Sequence, residues 1–202
     1  MQNLIHSYTQ QDIDIKQKER CFDGFFKMTR FTVCHRLFEG GWGPELQRER
    51  FDRGPAVGVL MYDKARDLVI LTEQFRIGAL EEESPWVFEI VAGMIETGET
   101  AEDVAIREAE EESGAHIKAL QPICEYLVSP GGTDEKMHLF YTELDSTHIE
   151  GIHGLASEGE DIKIHKIKSQ TAFSAVESGE INNAATVIAL QWLELALLKG
   201  RL

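Results

Sequence analysis

The sequence predicts an α/β (α+β) fold, in which helices cover both faces of a sheet and a small antiparallel sheet precedes them. Two observations support this prediction. Short apolar runs bounded by turn residues recur after residue 55, and such runs are typical of buried strands. Helical segments lie between and after these runs, which favours an α/β sandwich. With 202 residues, 43% of them hydrophobic, the chain can form one medium domain with a small attachment.

The first fifty residues are predicted to form the small antiparallel sheet. Alternating side chains at 12–16 and, less cleanly, at 30–37 indicate strands, and a glycine-rich turn at 40–44 is expected to end the sheet. So short a sheet has exposed edges and little core, so we expect it to pack on a partner subunit or on the main domain. We therefore divide the chain into residues 1–52, an N-terminal sheet segment expected to dimerise, and residues 53–202, the main domain.

The main domain contains six predicted strands and three predicted helices. The strands are at 57–62, 68–75, 87–91, 123–128, 137–142 and 162–167. A first helix is predicted over 101–113, because Thr100 and Asp103 form a capping-box pattern and Gly114 is a typical C-terminal stop. Two further helices are predicted near 171–178 and from about 184 to 199.

The helix over 101–113 carries carboxylates on its apolar face. With about 100° of rotation per residue, one face is shared by Ala101, Val104, Ala105, Glu108, Glu111 and Glu112. Like charges three and four residues apart repel, here at the negative end of the helix dipole. Hard divalent cations prefer carboxylate oxygens, and Mg²⁺ is held by a few carboxylates together with substrate phosphates. The pattern favours a metal site over an acidic solvated face, which remains our interpretation for Glu110.

The residues around this helix resemble the signature of the Nudix hydrolases, Gly-x5-Glu-x7-Arg-Glu-aliphatic-x-Glu-Glu-x-Gly-aliphatic. The matching positions are Gly93, Glu99, Arg107, Glu108, Glu111, Glu112 and Gly114. The departures are Ala109 and Ala115, where bulkier aliphatic residues are usual. The resemblance implies a Nudix-fold α/β/α sandwich that cleaves a nucleoside diphosphate linked to another group, with Mg²⁺ as cofactor and Mn²⁺ able to substitute.

Similarity to one Nudix subgroup, the bacterial enzymes that cleave ADP-ribose, extends over nearly the whole chain. Pro130 stands fifteen residues beyond Ala115, where that subgroup carries a proline, and residues 183–192 are also similar. The resemblance implies hydrolysis of ADP-ribose to AMP and ribose 5-phosphate. An alternative substrate is another nucleoside diphosphate sugar, such as GDP-mannose. A non-catalytic nucleotide sensor is a further alternative, which the intact glutamates and the acidic charge disfavour.

The resemblance also implies roles at the metal site. Two or more ions are expected, and their protein ligands would be the Ala92 carbonyl and the carboxylates of Glu108, Glu112 and Glu111. Arg107 would pair with Glu99 and orient these carboxylates. It would thus act on the metal indirectly, through the ligands of the metal.

Glu158 is the candidate general base. It lies within residues 146–161, a long acidic connection, and long loops in compact domains tend to be functional. The stretch resembles the loop that brings the base into the ADP-ribose enzymes, where the base deprotonates the attacking water. Glu160 is the local rival for this role, or an additional metal ligand, and Glu111 is the next candidate base.

Substrate-binding candidates come from several separate segments. Guanidinium groups bind phosphate oxygens bidentately, and three arginines lie at matching places in the resembling enzymes: Arg48, Arg53 and Arg76. Phe25 or Phe26 could stack on adenine, although two adjacent aromatic residues also suit a strand that packs on its core. Glycines allow a close backbone approach to ribose or phosphate. The loop after Pro130 offers three candidates for such backbone contacts: Gly131, Gly132 and Thr133.

Charge and cysteine content bound the partners and the compartment. The 20 basic against 35 acidic residues give a net charge of −15, which argues against nucleic-acid and anionic-membrane partners. Cys21, Cys34 and Cys124 are far apart and predict free thiols that fill core space in a reducing compartment. The start lacks a signal-peptide pattern and no stretch is long enough to span a membrane, so we expect a cytoplasmic enzyme. The resemblance implies a homodimer with exchanged N-terminal segments.

Overall fold

The computed structural model describes residues 4–202, apart from the Glu158 side chain, and within them the chain divides into two units. One unit contains the residues up to Gly54 together with Ser129–Glu135. The other contains Pro55–Val128 and Lys136–Leu202. The N-terminal unit thus includes a returning segment that our division at residue 52 does not contain, and the domain boundaries stay a prediction.

Between residues 4 and 54 the chain forms an antiparallel sheet of three strands, as predicted for this segment. These are β1 (Ile13–Asp23), β2 (Lys27–His35) and β3 (Leu46–Asp52), in the order β1-β2-β3. The expectation that the turn at 40–44 ends the sheet is wrong, since β3 follows it. Strand β3 escaped prediction because its sequence, LQRERFD, is mostly charged and lacks an apolar alternation.

The described part of the second unit contains an eight-stranded sheet. Its strands are β4 (Pro55–Asp63), β5 (Leu68–Phe75), β6 (Trp86–Glu89), β7 (Val91–Met94), β8 (Gln121–Leu127), β9 (Lys136–Glu143), β10 (Ile152–His153) and β11 (Ile162–Lys168). The order is β10-β11-β5-β4-β9-β8, with β6 paired to β5 and β7 paired to β4. The predicted strand at 87–91 is two strands, because the chain changes partner at Ile90, whose N–H donates to Thr186 Oγ1 over 3.0 Å.

The predicted helices are present as α1 (Ala101–Ser113), α2 (Ser169–Ser178) and α3 (Ala184–Leu198). The bounds of α1 match the prediction because both ends are coded locally. The Thr100 hydroxyl accepts from the Asp103 N–H, and Gly114 adopts a left-handed conformation with φ 69°. Asn183 caps α3 in the same way, by accepting from the Thr186 N–H.

The core lies on both faces of the larger sheet, because side chains along a strand point alternately to its two sides. Along β4, Val57, Val59 and Met61 join the cluster under α1, whereas Ala56, Leu60 and Tyr62 join the cluster under α2 and α3. Helices therefore cover both faces of this sheet, and the predicted α/β/α sandwich is confirmed. Across residues 4–202, none of the helices is long and apolar enough to cross a membrane.

The expectation that the cysteines fill core space is wrong for two of them. Cys21 and Cys124 are exposed, and Cys34 is half-buried. The reason is topological: Cys21 lies on β1 and Cys124 on β8, which are edge strands of their sheets. The cysteines do not form disulfides in the described chain.

Candidate active site

The start of the sequence motif packs against its own helix. Strand β7 lies beside α1, and the Ala92 N–H donates a hydrogen bond to Glu112 Oε2 over 3.3 Å. A Cβ atom on Gly93 would overlap the side chain of Glu108, so any larger residue there would displace that carboxylate. Strand β7 thus fixes the positions of two of the carboxylates that we predicted to bind metal.

Glu112 is the most buried of these carboxylates. Its side chain belongs to the last turn of α1, and the residue is only 3% exposed. Burial, followed by repulsion from Glu108, raises the pKa of Glu112 to about 8, against opposing effects of the Ala92 N–H and the Arg76 guanidinium. A carboxylate that is buried with so little compensation favours either a proton or a cation beside it.

Glu108 lies one turn earlier on the same face of α1 and is half-buried. Burial raises its pKa to about 7. Arg107 opposes this shift, with its Nη1 atom 2.9 Å from Glu108 Oε1. The negative charges of Glu111 and Glu160 add to the shift, so both acids lie near Glu108. The site is therefore a cluster of mutually repelling carboxylates in a partly desolvated place.

Arg107 contacts three carboxylates of this region. Its Nη1 atom is 3.1 Å from Glu111 Oε2 as well as 2.9 Å from Glu108, and its Nη2 atom is 3.6 Å from Glu99 Oε1. Sequence reasoning anticipated the Glu99 contact and assigned Arg107 to orient the helix carboxylates. The guanidinium thus restrains two of the cluster carboxylates directly, and its role in catalysis stays a prediction.

The connection between β9 and β11 also contacts helix α1. The Gly154 N–H donates to the Glu111 carbonyl over 3.4 Å, and Glu160 raises the pKa of both Glu108 and Glu112. Glu160 therefore shares the site with the helix carboxylates. The backbone of Glu158 lies two residues away, at the end of a short 3₁₀ helix, Ala156–Glu158.

Arg76 is the predicted phosphate-binding arginine that lies in the same unit as the cluster. Its Nε donates to Glu89 Oε2 over 2.6 Å, and its charge lowers the pKa of Glu112. Because Glu89 holds the Nε side of the guanidinium, the orientation of this arginine is restrained. Glu89 is a residue that sequence reasoning missed, since nothing in a lone strand glutamate indicates its partner thirteen residues away.

Arg53 lies in the N-terminal unit and is held by the returning segment of that unit. Its backbone N–H donates to Asp134 Oδ1 over 2.8 Å, and its Nη2 is 3.5 Å from Glu135 Oε1. Its guanidinium stands over the rings of Phe26 and Phe51, 5.2 and 5.8 Å from their centroids. Sequence reasoning missed Asp134, because its partner Arg53 lies 81 residues away in the chain.

The other predicted substrate contacts are also in the N-terminal unit. Arg48 on β3 is exposed, and its Nη1 donates to the Gln47 carbonyl over 2.8 Å. Phe25 lies between β1 and β2 and is 94% exposed, with its ring against Phe26. In the loop formed by Gly131, Gly132 and Thr133, the Gly132 carbonyl accepts from the Phe51 N–H over 2.8 Å. Their roles in substrate binding stay predictions.

No group of three or more acidic, histidine or cysteine side chains, among the residues described, is arranged to hold a metal ion. Two of the predicted ligands contact other groups of the chain. Glu111 is paired with Arg107, and Glu160 accepts a hydrogen bond from the Leu155 N–H. A carboxylate can accept at both of its oxygens, so these contacts leave an oxygen of each side chain for ligation by the predicted set.

The fold and this carboxylate helix define a class of protein. Residues 52–198 match the NUDIX domain family, which covers well over half of the chain. The chain therefore belongs to the Nudix family.

Curated relatives narrow the comparison. The chain is 47% identical over 194 residues to the ADP-ribose pyrophosphatase of Escherichia coli (strain K12), covering 96% of this chain and 93% of that protein. It is 46% identical over 195 residues to the ADP-ribose pyrophosphatase of Haemophilus influenzae, covering 95% and 90%. A GDP-mannose pyrophosphatase of Pectobacterium atrosepticum is 30% identical to this chain. The match covers 89% of this chain and 92% of that protein.

A solved structure of an ADP compounds hydrolase has the same fold. Its TM-score is 0.72 at 23% sequence identity, and the match covers 97% of this chain and 100% of that chain. At this identity the likeness concerns the fold alone.

Proposed function

We propose that this Nudix protein hydrolyses the diphosphate of ADP-ribose to AMP and ribose 5-phosphate. The observation that carries the proposal is the packing of Glu108 and Glu112 of α1 against β7, which places two desolvated carboxylates side by side. The choice of substrate is supported by relatives that are 46–47% identical and are named ADP-ribose pyrophosphatases.

The donor set of the cluster fits Mg²⁺, with Mn²⁺ as a substitute and two or more ions as the expected number. Glu108 and Glu112 would bind directly, with Glu111 and Glu160 completing the set. The Ala92 carbonyl fits as a further ligand. In an antiparallel strand the N–H and C=O of one residue point to the same side, and the Ala92 N–H points to Glu112. Repulsion within the cluster supports this assignment, because a cation would relieve it.

When bound, the metal would neutralise diphosphate charge and lower the pKa of a bound water. The residues of the chain divide the remaining tasks. Glu158 takes the proton from the attacking water as general base, with Glu160 as the rival candidate. Arg107 orients Glu108 and Glu111 through its ion pairs.

Substrate binding is assigned to residues of both units. Arg76 is aimed at phosphate from the unit that contains the cluster, with Arg48 and Arg53 contributing from the N-terminal unit. Phe25 offers an exposed ring for adenine stacking. Backbone groups of Gly131, Gly132 and Thr133 are suited to ribose or phosphate.

The enzyme is further proposed to be a homodimer with exchanged N-terminal segments. In the single chain the N-terminal sheet leaves large apolar side chains open, which a partner subunit would cover. They include Ile15 at 57% exposure and Phe22 at 56%, both on β1. A reducing, cytoplasmic setting agrees with three cysteines that are not joined in disulfides.

A substrate panel tests the proposed function. Purified protein is assayed with ADP-ribose, GDP-mannose and other nucleoside diphosphate sugars, with Mg²⁺ and with EDTA, and the released nucleoside monophosphate is quantified. We expect ADP-ribose to be hydrolysed with the highest kcat/KM and EDTA to abolish turnover. Preference for GDP-mannose would support the alternative function, in line with the relatives at 30–35% identity. No metal-dependent turnover of any of these substrates would overturn both.

A further inference from the structure

The connection from β9 to β11 contains a loop that hydrogen bonds close at its base. The Leu155 N–H donates to Glu160 Oε2 over 3.0 Å, and the Glu160 N–H donates to the Leu155 carbonyl over 3.3 Å. We call these two residues the loop neck. The residues between them, 156–159, include the short helix Ala156–Glu158 that ends at the proposed general base.

Glycines on both sides of the loop allow this close approach. Gly154 has φ +98°, and a Cβ atom there would lie 2.7 Å from the Cβ of Glu160. Gly159 has φ +72°, and its N–H donates to the Ala156 carbonyl over 3.2 Å. Left-handed conformations of this kind favour glycine. The backbone on either side of Glu160 is therefore shaped so that the Glu160 side chain can fold back onto Leu155.

The loop neck is attached to the helix that carries the metal-binding candidates. The Gly154 N–H donates to the Glu111 carbonyl over 3.4 Å, and His153 pairs with Ile162 in the β10–β11 ladder. A movement of the neck would thus change the position of the loop relative to the last turn of α1.

Glu160 faces the carboxylate cluster as well as the neck. Its charge raises the pKa of both Glu108 and Glu112, which requires that it lie near them. Yet its Oε2 atom accepts from a backbone N–H, a contact that involves no cation. A carboxylate that accepts a backbone hydrogen bond restrains the segment that donates it.

We propose that Glu160 is a positioning residue: its carboxylate holds the loop neck closed and thereby sets the position of the segment that carries Glu158. This inference rests on the proposed function, in which Glu158 is the general base. The neck is closed by a hydrogen bond within the chain, a contact that does not itself involve a metal. Ligation of metal by Glu160 would be an additional role, and it does not account for the Leu155 contact.

Hydrogen–deuterium exchange of the metal-free protein tests the neck itself. Wild type, E160A, E160Q and the neighbouring control D161A are compared in EDTA, by following the amides of residues 155–159. Asp161 is exposed, so its truncation should leave the neck intact. The glutamine of E160Q keeps an oxygen that can accept the Leu155 N–H. Exchange elsewhere in the chain reports whether each variant is folded.

We expect faster exchange at 155–159 in E160A and exchange close to wild type in E160Q and D161A. Loss of one hydrogen bond should raise the local rate by about three- to tenfold. Unchanged exchange in E160A, or equally fast exchange in E160Q and E160A, would overturn the neck. This result does not depend on the substrate, so a failure of the proposed function and a failure of the neck can be told apart.

A double-mutant cycle with E158Q tests whether Glu160 acts through Glu158. If it does, E160A lowers kcat in the wild-type background and much less in the E158Q background, because the positioned group is already gone. Additive losses of kcat in E160A and E158Q would show that Glu160 acts independently, as a metal ligand alone would, and would overturn the positioning role.

Discussion

At the scale of single residues, the buried Glu112 makes the stability of the protein depend on pH. Burial raises its pKa to about 8, whereas the usual value is 4.5. At a pH between these two pKa values, the Glu112 side chain of the folded, metal-free protein holds a proton that the same side chain of the unfolded chain releases. Its free energy of unfolding should therefore fall as the pH rises from about 5 to 8. A bound cation would remove this disadvantage by compensating the charge.

Replacing Glu112 by glutamine separates stability from activity. E112Q removes the titrating group with little change in volume, so in EDTA it should be at least as stable as wild type at pH 8, with a flatter pH dependence. Turnover of ADP-ribose should fall by orders of magnitude. Urea unfolding at two pH values and steady-state kinetics measure these effects, with E110Q on the exposed side of α1 as control. Near-normal turnover of E112Q at saturating Mg²⁺ would contradict the cluster assignment.

The ion pair of Arg76 and Glu89 gives a second prediction about single residues. If Arg76 binds phosphate, R76A should raise the KM for ADP-ribose by about tenfold, a typical value for a charge-assisted contact. E89Q should raise KM in the same direction and by less, because it loosens the orientation of the guanidinium without removing it. The exposed Glu83 offers a control, E83Q. A change in kcat alone, with KM unaltered in both variants, would argue against phosphate binding by Arg76.

At the scale of helices, strands and loops, the elements predicted well are those whose ends are determined by neighbouring residues. Helix α1 begins at a capping threonine and ends at a left-handed glycine, so its bounds followed from sequence. The bounds of β3 did not follow from the sequence, because this charged strand is stabilised by pairing with β2 and not by burial. Side-chain partners such as Asp134 for Arg53, 81 residues apart, depend on the tertiary fold and cannot be read from local patterns.

The loop between β9 and β11 gives a prediction about the general base. If Glu158 takes the proton from water, E158Q should bind Mg²⁺ and ADP-ribose nearly normally and lose about 10²–10⁴-fold in turnover. If Glu160 is the base, E160Q shows that loss and E158Q is mild. Binding is measured by calorimetry and turnover by AMP release. Losses below about tenfold in both variants would exclude the loop as the source of the base and make Glu111 the better candidate.

Asp63 anchors the start of the same connection. It is fully buried and accepts hydrogen bonds from the N–H and the hydroxyl of Ser146, at 3.0 and 2.7 Å, and from Arg66. Burial alone would raise its pKa, but these donors outweigh burial and hold the pKa well below its usual range. The stabilisation is therefore present above about pH 4 and is lost as the pH falls below that value.

The variant D63N should be less stable than wild type by about 1–3 kcal/mol at neutral pH, because the buried Ser146 donors lose their charged acceptor. The difference should stay constant from pH 5 to 8 and shrink in acid. D145N is the matched control, since Asp145 binds the same Arg66 from an exposed position and should matter by less than about 1 kcal/mol. Denaturant unfolding measures both, and equal effects of the two variants would contradict the anchoring role.

Charge is the central problem for the whole molecule. A chain with a net charge of −15 must bind an anionic diphosphate, so attraction has to come from a few placed cations and not from the overall field. Two of the three arginines assigned to phosphate lie in the N-terminal unit, and the carboxylate cluster lies in the other. In the proposed function, substrate-binding residues come from both units, and the proposed exchange of N-terminal segments would decide which subunit supplies each of them.

Mixed dimers test that exchange. E112Q disables the cluster and R48A disables the N-terminal contribution, so each homodimer should have little activity. If segments are exchanged, one of the two sites in an E112Q/R48A heterodimer receives both lesions and the other receives neither, so the heterodimer should show about half of the wild-type kcat. Without exchange every site carries one lesion, and activity stays low. Differently tagged chains are co-expressed, the heterodimer is isolated, and sedimentation velocity confirms its state at assay concentration. A fully active monomer in that experiment would contradict both the dimer and the exchange.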